Sequence, residues 1–534
     1  MSRLSYPLSR RHFLAKAGAV GTGFLGPLLL AADGETTRIS TGEQLRLPAD
    51  LFKLGVASGD PLPDGVILWT RLAPSPLTGG GMPDQPVPVL WEVSLDESFS
   101  RLVRTGLSIA QPASVHTVHA DVRGLRSGAD YFYRFRVGGQ VSPVGRTRTA
   151  PSRGSRPSRL RFALASCQNW QDGYFTAYKS MAEEDLDFIV FVGDYIYEYA
   201  PWPGLLREHV GVGEARTLAD YRNRYAQYRT DPLLAAVHAA TPWIATWDDH
   251  EVDDNWAGDV PADPKKQSRQ AFHARRAAAT QAYYEHMPIR ARPPRGTDFR
   301  LYRRLRFGDL ATMHVLDTRQ YRSPHPTRLS EANQPWRTMT GPAQERWLVN
   351  GMSGSGSRWN LVANQVMMAS SDRKPGPGVS YSYDSWDGYR VQRQRLLEYF
   401  GSGASRNPVV LTGDQHATWV CDLKPDFDSA ASPVVAAEIT GTSITSGGDA
   451  DLAEFHRTHD QLMAESPHWK YIDNRRGYIL CELLPERLHA SLRVVDTVRE
   501  LSGGAVRTAA RFVVESDRPG IELDGPSSPP APTR

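Results

Sequence analysis

Phe188-Ile189-Val190-Phe191-Val192-Gly193-Asp194-Tyr195-Ile196-Tyr197-Glu198 runs five consecutive apolar residues into a glycine and a carboxylate. An apolar run of that length, closed by a turn residue, reads as a short buried strand. Asp194 then lies at the strand's carboxyl end, where open α/β sheets collect their ligand sites. A buried carboxylate there is too costly to keep unless it meets a cation, either a metal or an arginine.

The same grammar recurs on both sides of this stretch. Leu160 to Ser166, Trp243 to Thr246, Leu310 to Leu316, Trp359 to Ala363, Val409 to Thr412 and Val434 to Ile439 read as further strands. Helical patterns alternate with them at Phe175 to Glu184, Leu218 to Tyr228, Ser268 to Glu285 and Gly341 to Asn350. Together they predict an α/β domain over residues 158–515, a layered sandwich flanked by helices. Upstream, Gly65 to Trp69, Val89 to Val93, Val118 to Val122 and Tyr131 to Val137 are strand-like runs separated by Pro and Gly. They predict a small all-β, fibronectin type III-like sandwich over residues 48–150. The Pro, Gly and Ser-rich segment from Pro151 to Ser158 marks the boundary. The Pro and Ser-rich end, residues 516–534, is expected to be disordered.

The N-terminus carries an address. Ser9-Arg10-Arg11-His12-Phe13-Leu14, then Lys16 and an apolar run from Ala17 to Ala32, resembles a twin-arginine export signal over residues 1–32. The run is short and diluted by glycine, so a removable signal fits better than a membrane span, which needs about 20 apolar residues. The expected location is periplasmic, cell-surface or secreted, reached folded through the twin-arginine machinery. The chain carries 62 basic and 59 acidic residues, a formal charge of +3. That balance lacks the global signature of a nucleic-acid binder, so no stable nucleic-acid complex is expected. Cys167, Cys421 and Cys481 are too few and too scattered for a disulfide framework. A free thiol in an oxidising compartment needs burial or metal ligation to survive. Cys421 and Cys481 sit in apolar strand-like runs and read as core.

Four polar clusters follow four of the strands: Ser166-Cys167-Gln168-Asn169, the Gly193 to Glu198 segment, Trp247-Asp248-Asp249-His250-Glu251 and Gly413-Asp414-Gln415-His416. Three carboxylates around one imidazole in the third would repel one another without cations. Carboxylate oxygens suit calcium, whereas thiolate, phenolate and imidazole suit a transition metal.

The order Gly193-Asp194 with Tyr197, then Asp249-His250-Glu251, then Gly413-Asp414-x-His416 follows the blocks of calcineurin-like phosphoesterases and purple acid phosphatases. With carboxylates in place of some neutral ligands, it resembles the PhoD-type alkaline phosphatases. Gly55-Val56-Ala57-Ser58-Gly59-Asp60, Asp317-Thr318-Arg319-Gln320-Tyr321-Arg322, Asn364-Gln365 and Gly441-Thr442-Ser443 extend the likeness, which spans about residues 50–515. The resemblance implies that Cys167, Asp194, Tyr197 and His416 bind Fe(III). It implies that Asp194 bridges to Ca(II) held by Asp249 and Asp414, with Asn255 contributing. Either Asp248 or Asp249 could face the metal, and Asp249 is favoured because it immediately precedes the histidine. His250 is the catalytic candidate, contacting the phosphate or the leaving oxygen, and a metal-activated hydroxide is the expected nucleophile. Arg319 could contact the substrate anion, but an arginine two residues past a strand aspartate is as often its ion-pair partner, here of Asp317, so it is left out of the candidate set. The implied substrates are phosphate mono- and diesters, hydrolysed by a monomer. A phospholipase D-type activity on the same site, or a non-catalytic surface-binding protein, are the alternatives.

Overall fold

A computed structural model describes residues 29–32, 35–38 and 46–525. The expected export signal lies outside the described residues up to position 28. Leu29–Ala32 and Glu35–Arg38 form by themselves a two-stranded antiparallel ribbon.

The rest carries two large sheets and a smaller, five-stranded one. One has ten strands in the order Glu522–Leu523, Val506–Glu515, Arg487–Val495, Gly477–Leu483, Leu160–Ala165, Phe188–Val192, Trp243–Thr246, Val56–Leu62, Gly65–Arg71 and Thr117–Arg123. Its centre is parallel, with Val190 opposite both Leu164 and Ile244. The other has seven strands in the order Arg303–Phe307, Ala311–Val315, Trp359–Ala363, Pro408–Thr412, Ala436–Thr440, Thr418–Leu423 and Trp469–Asp473. Four of these run parallel, from Ala311–Val315 through Ala436–Thr440.

Alternation along Phe188–Val192 shows why the run is apolar throughout. Phe188, Val190 and Val192 pack between the sheets against Met313, Leu361 and Leu411. Ile189 and Phe191 face the other way, toward Tyr221, Tyr225, Leu234 and Val237. Those residues lie on the helices Leu218–Arg229 and Pro232–Ala240. Behind the second sheet, Val362 and Val410 pack on Leu348, Leu396 and Phe400 of the helices Gly341–Ser353 and Arg390–Gly401. The result is four layers, helices on both outer faces of a sheet-on-sheet core, which is the layered α/β architecture expected. No helix among the described residues is long and apolar enough to cross a membrane.

The all-β region of residues 48–150 divides its strands between two sheets. Val87–Ser94, Leu102–Ala110, Asp130–Val137, Gln140–Val141 and Gly145–Arg148 form a five-stranded sheet. Val56–Leu62, Gly65–Arg71 and Thr117–Arg123 continue the ten-stranded one through the pairing of Gly59 with Trp243. Gly65–Arg71 is buried at every position, as a strand covered on both faces must be.

The expectation of a disordered end from residue 516 needs correction. Glu522 and Leu523 pair with Val513 and Phe512. Ile521 is buried, and its N–H donates to Asp422 Oδ1 at 3.0 Å. One buried isoleucine anchors the segment, whereas the composition of 516–534 is dominated by the final residues, 526–534, which lie outside the described ones. Cys421 and Cys481 are buried in strands, as expected.

Candidate metal centre

The strands Leu160–Ala165, Phe188–Val192, Trp243–Thr246 and Pro408–Thr412 all end within two residues of a polar cluster, and these ends converge. Gly193 permits the approach: at φ +115°, a Cβ there would stand 2.4 Å from Asp248 Cβ and 2.7 Å from Asp248 N. The Glu251 carboxylate ties the two loops together by accepting the N–H groups of Asp194 (3.1 Å), Tyr195 (2.6 Å) and Asp248 (2.8 Å).

Five of the seven ligand candidates, Cys167, Asp194, Asn255, Asp414 and His416, hold positive φ between 50° and 66°. Non-glycine residues adopt that region at a cost, and such strain gathers at functional sites. In Cys167, Asp194, Asp414 and His416 the effect is to turn the side chains toward one centre, whereas the Asn255 side chain turns to Asp254.

Three overlapping groups result, each with its ligand atoms within 4.8 Å of one another: Cys167, Asp194 and His416; Asp194, Asp249 and His250; and Asp248, Asp249 and Asp414. Asp194 and Asp249 each belong to two groups, so the cluster is continuous. Tyr197 completes the first group. Its hydroxyl donates to Asp194 Oδ2 at 3.0 Å, lies 3.1 Å from His416 Nε2 and accepts from Ser446 Oγ at 2.7 Å.

Two buried carboxylate oxygens, Asp194 Oδ1 and Asp248 Oδ2, have no hydrogen-bond partner. Native structures rarely leave such atoms unpaired, and a metal ion is among the few partners that explain them. The electrostatics agree. Burial raises the pKa of Asp194, with Asp249 and Asp248 adding to it and His250 opposing. Burial and then Asp194 raise the Cys167 thiol, and burial, Asp194 and Cys167 raise the Tyr197 phenol. All three are thus biased toward their protonated forms, and a cation binding there displaces protons, as metal binding to such groups requires. Burial and the neighbouring His250 push His416 down to about 3, leaving the neutral imidazole that ligates. The residues present thus fit a transition metal on the Cys167 side and a hard, oxygen-loving cation on the Asp249 and Asp414 side.

His250 sits between these halves. Its Nδ1 meets Glu198 Oε2 at 2.8 Å, and its ring stacks on Tyr197 with centroids 4.1 Å apart. Burial alone would lower its pKa, but Asp249, Glu198 and Asp194 overcome that and raise it well above the usual value.

Asp248 and Asp249 both reach the cluster. Asp249 joins two of its groups, while Asp248 is engaged by Arg319. Asn255 is exposed, and its side chain donates to Asp254 Oδ1 at 2.7 Å. Its backbone N–H, however, braces Asp249 Oδ2 at 2.7 Å. The pairing of Arg319 with Asp317 is corrected: Asp317 accepts the backbone N–H groups of Arg319 and Gln320 instead. The Arg319 guanidinium, fully buried, points into the site. It donates to Asp248, meets Asp384 at 2.6 and 3.0 Å, and lies 3.5 Å from Asp249 and 3.8 Å from Asp414. Sequence reasoning missed Asp384 and Ser446 altogether, because neither stands in a motif that marks it. Glu198, Glu214 and Asp253 form a fourth acidic group, but Arg275 pairs with two of its members, at 2.5 Å from Glu214 and 2.8 Å from Asp253, and His250 meets the third.

The chain matches known proteins throughout. The sequence model of the PhoD-like phosphatase matches residues 162–492, and that of the PhoD-like phosphatase N-terminal domain matches residues 38–151. Alkaline phosphatase D of Bacillus subtilis (strain 168) is 45% identical over 524 residues, covering 96% of this chain and 88% of that protein. A solved structure described as PhoD superposes with a TM-score of 0.85 at 46% identity, over 89% of this chain and 92% of that one.

Proposed function

Since the chain belongs to the PhoD-like phosphatase family and is a phosphoric ester hydrolase, we propose that it acts as an exported alkaline phosphatase and phosphodiesterase built on an Fe(III)–Ca(II) centre. The observation that carries this reading is the pair of buried carboxylate oxygens, Asp194 Oδ1 and Asp248 Oδ2, left without donors inside a cluster of thiol, phenol, imidazole and carboxylates. Cys167, Asp194, Tyr197 and His416 would hold the iron. Asp194, Asp249 and Asp414 would hold the calcium, with the Asn255 backbone bracing Asp249 and with Asp248 in reach.

When bound, the two cations neutralise charge on the phosphate oxygens and acidify a water toward neutral pH. The protein's own groups do the rest. His250, with Nδ1 fixed by Glu198, turns Nε2 to a phosphate oxygen or to the leaving oxygen, which it can protonate. Tyr199 and Tyr197 pack on its ring and fix its plane. Arg319 holds Asp248 and stands close enough to Asp249 and Asp414 to keep the calcium-side carboxylates together.

The Ser9 to Leu14 motif supports export through the twin-arginine machinery, a route that suits a protein folded around its metals. The substrates are phosphate mono- and diesters, and the working unit is a monomer.

Metal analysis with a visible spectrum, paired with hydrolysis of p-nitrophenyl phosphate and its bis ester before and after chelation, tests the reading. Iron, calcium, a thiolate or phenolate charge-transfer band and chelator-sensitive hydrolysis are expected. Metal-free protein that stays inactive after reconstitution with both ions would overturn it.

A further inference from the structure

The segment from Tyr199 to Glu214 inverts the usual distribution of side chains. Its polar groups are tied down from beneath. Gln171 accepts the Trp202 N–H at 2.8 Å and donates to Ala200 O at 3.1 Å. Arg224 donates to Tyr199 O at 2.9 Å, and Gln227 accepts the Val210 N–H at 3.0 Å. Arg207 lies 3.9 Å over the Trp170 ring and pairs with Asp231 at 2.6 Å. Its apolar groups face solvent: Trp202 is 46% exposed, and Leu205, Leu206, Val210 and Val212 stand exposed after it. Thirteen large hydrophobic residues are exposed among the described residues, and five of them fall between positions 202 and 212. Scattered exposed hydrophobics are ordinary, whereas such a concentration marks a binding surface.

This surface is continuous with the metal centre. Tyr199 meets the His250 ring edge-on at 4.9 Å, and Trp202 stacks on Tyr199 at 5.3 Å and 19°. We infer that the Tyr199 and Trp202 shelf, extended by the exposed Leu205 and Leu206 of the turn that Leu205 N–H closes on Trp202 O at 3.4 Å, is the subsite for an apolar substituent of the phosphate ester. The inference rests on His250 being the phosphate's neighbour. A phosphate beside His250 carries its substituent onto the shelf, where an alkyl or aryl group leaves water and a small hydrophilic one gains nothing. Because the segment is tied down before substrate arrives, little ordering cost offsets that gain. The alkyl group can come from a soluble amphiphilic ester or from a lipid phosphate in a bilayer, and the chemistry of the shelf is the same for both.

Methyl p-nitrophenyl phosphate and octyl p-nitrophenyl phosphate share a leaving group and differ only in the substituent, so their ratio reads the shelf. The loaded wild-type enzyme should show a KM at least tenfold lower for the octyl ester. The ratio should fall below threefold in Leu205→Ser/Leu206→Ser and in Trp202→Ser, each variant serving as its own reference. Calorimetric binding of octylphosphonate against methylphosphonate reads the same preference without turnover, which separates loss of the subsite from failure of the catalytic centre. Flotation of the wild type, but not of the double variant, with phosphatidylcholine vesicles assigns the substituent to a bilayer. Octyl preference without flotation assigns it to soluble esters. Equal treatment of methyl and octyl compounds by the wild type, or an undiminished octyl advantage in both variants, would overturn the inference. So would a dimer, seen by light scattering, that the double variant dissolves while no octyl preference is found.

Discussion

The guanidinium of Arg319 grips both oxygens of Asp384, 65 positions along the chain, at 2.6 and 3.0 Å. Asp384 also accepts from Arg322 at 2.7 Å and lies 2.9 Å from His325 Nε2. Replacing it with alanine takes the carboxylate from buried Arg322 and one of two close ones from Arg319, a defect of the kind that costs about 3–5 kcal/mol. Asp384→Ala is therefore expected to lower Tm by several degrees. It should also lower calcium affinity, because Arg319, released on one side, moves further onto Asp249 and Asp414. Thermal unfolding with and without calcium checks both, and unchanged calcium affinity would separate Asp384 from the site.

Tyr197 is expected to give the centre its colour. Its phenol lies within 3.1 Å of both Asp194 and His416, with Ser446 donating to it. In Tyr197→Phe, Cys167, Asp194 and His416 remain to hold iron, so iron content should fall by less than half. The phenolate charge-transfer band should vanish and hydrolysis should drop about 100-fold, the scale of a lost electrostatic or positioning group. Ser446→Ala should shift the band without abolishing it. An unchanged spectrum in Tyr197→Phe removes the phenol from the ligand set.

What the chain discloses unaided depends on whether a signal is local. Phe188–Val192, Trp243–Thr246 and Trp359–Ala363 fall at the positions their apolar runs mark, because those strands are buried on both faces. The strands Arg487–Val495 and Val506–Glu515 are less plain. They alternate buried residues with charged ones that reach solvent, such as half-buried Arg493 and exposed Arg511, a weaker pattern over a long ladder. At the site, Cys167, Asp194, Asp249 and Asp414 are legible because each stands two or three residues past the end of a strand. Arg319 is misread because a local rule pairs it with Asp317, whereas neighbouring backbone amides claim that carboxylate first. Asp384 joins the site only through the fold, from a loop of serines and tyrosines with no marker of its own.

Gly193 is expected to tolerate no side chain. Its φ of +115° disfavours L-residues, and a Cβ would collide with Asp248 at 2.4 Å. Gly193→Ala should therefore cost about 3 kcal/mol, combining backbone strain with overpacking. The displaced Asp248 loop should take Asp249 with it, so calcium should be lost before the fold. Metal analysis of folded Gly193→Ala at low temperature checks this, and full calcium occupancy would refute it.

Acid should weaken the fold through buried imidazoles that belong to none of the metal-holding groups. His314 accepts from Arg304 Nε at 3.1 Å and lies 3.1 Å from Asn360 Oδ1, an arrangement that suits the neutral ring. Burial pushes its pKa down to about 3. Burial, followed by nearby arginines, likewise lowers His238 and His286. Each is below its unfolded value near 6.5, so the unfolded chain binds the extra protons. Their contribution is complete above pH 6.5 and is lost progressively as pH falls toward 3. Tm should decline below pH 6, and His314→Gln should flatten part of that decline. An identical slope in the variant would rule His314 out.

Metal removal should have the opposite pH dependence. Burial, reinforced by Asp384 and opposed by Arg319, pushes Asp414 up to about 7, and burial drives Asp194 and Asp248 upward as well. In chelated protein these carboxyls bind protons more tightly folded than unfolded, where the value is near 3.9. Their stabilising contribution is present below about pH 4 and is lost as pH rises through about 7. Cations cancel that loss by pairing with the ionised carboxylates, and ions at 1,000 times their Kd add about 4 kcal/mol. The gap in Tm between loaded and chelated protein should therefore widen steadily from pH 5 to pH 8. A gap that is constant across that range would mean the carboxylates are not what the metals neutralise.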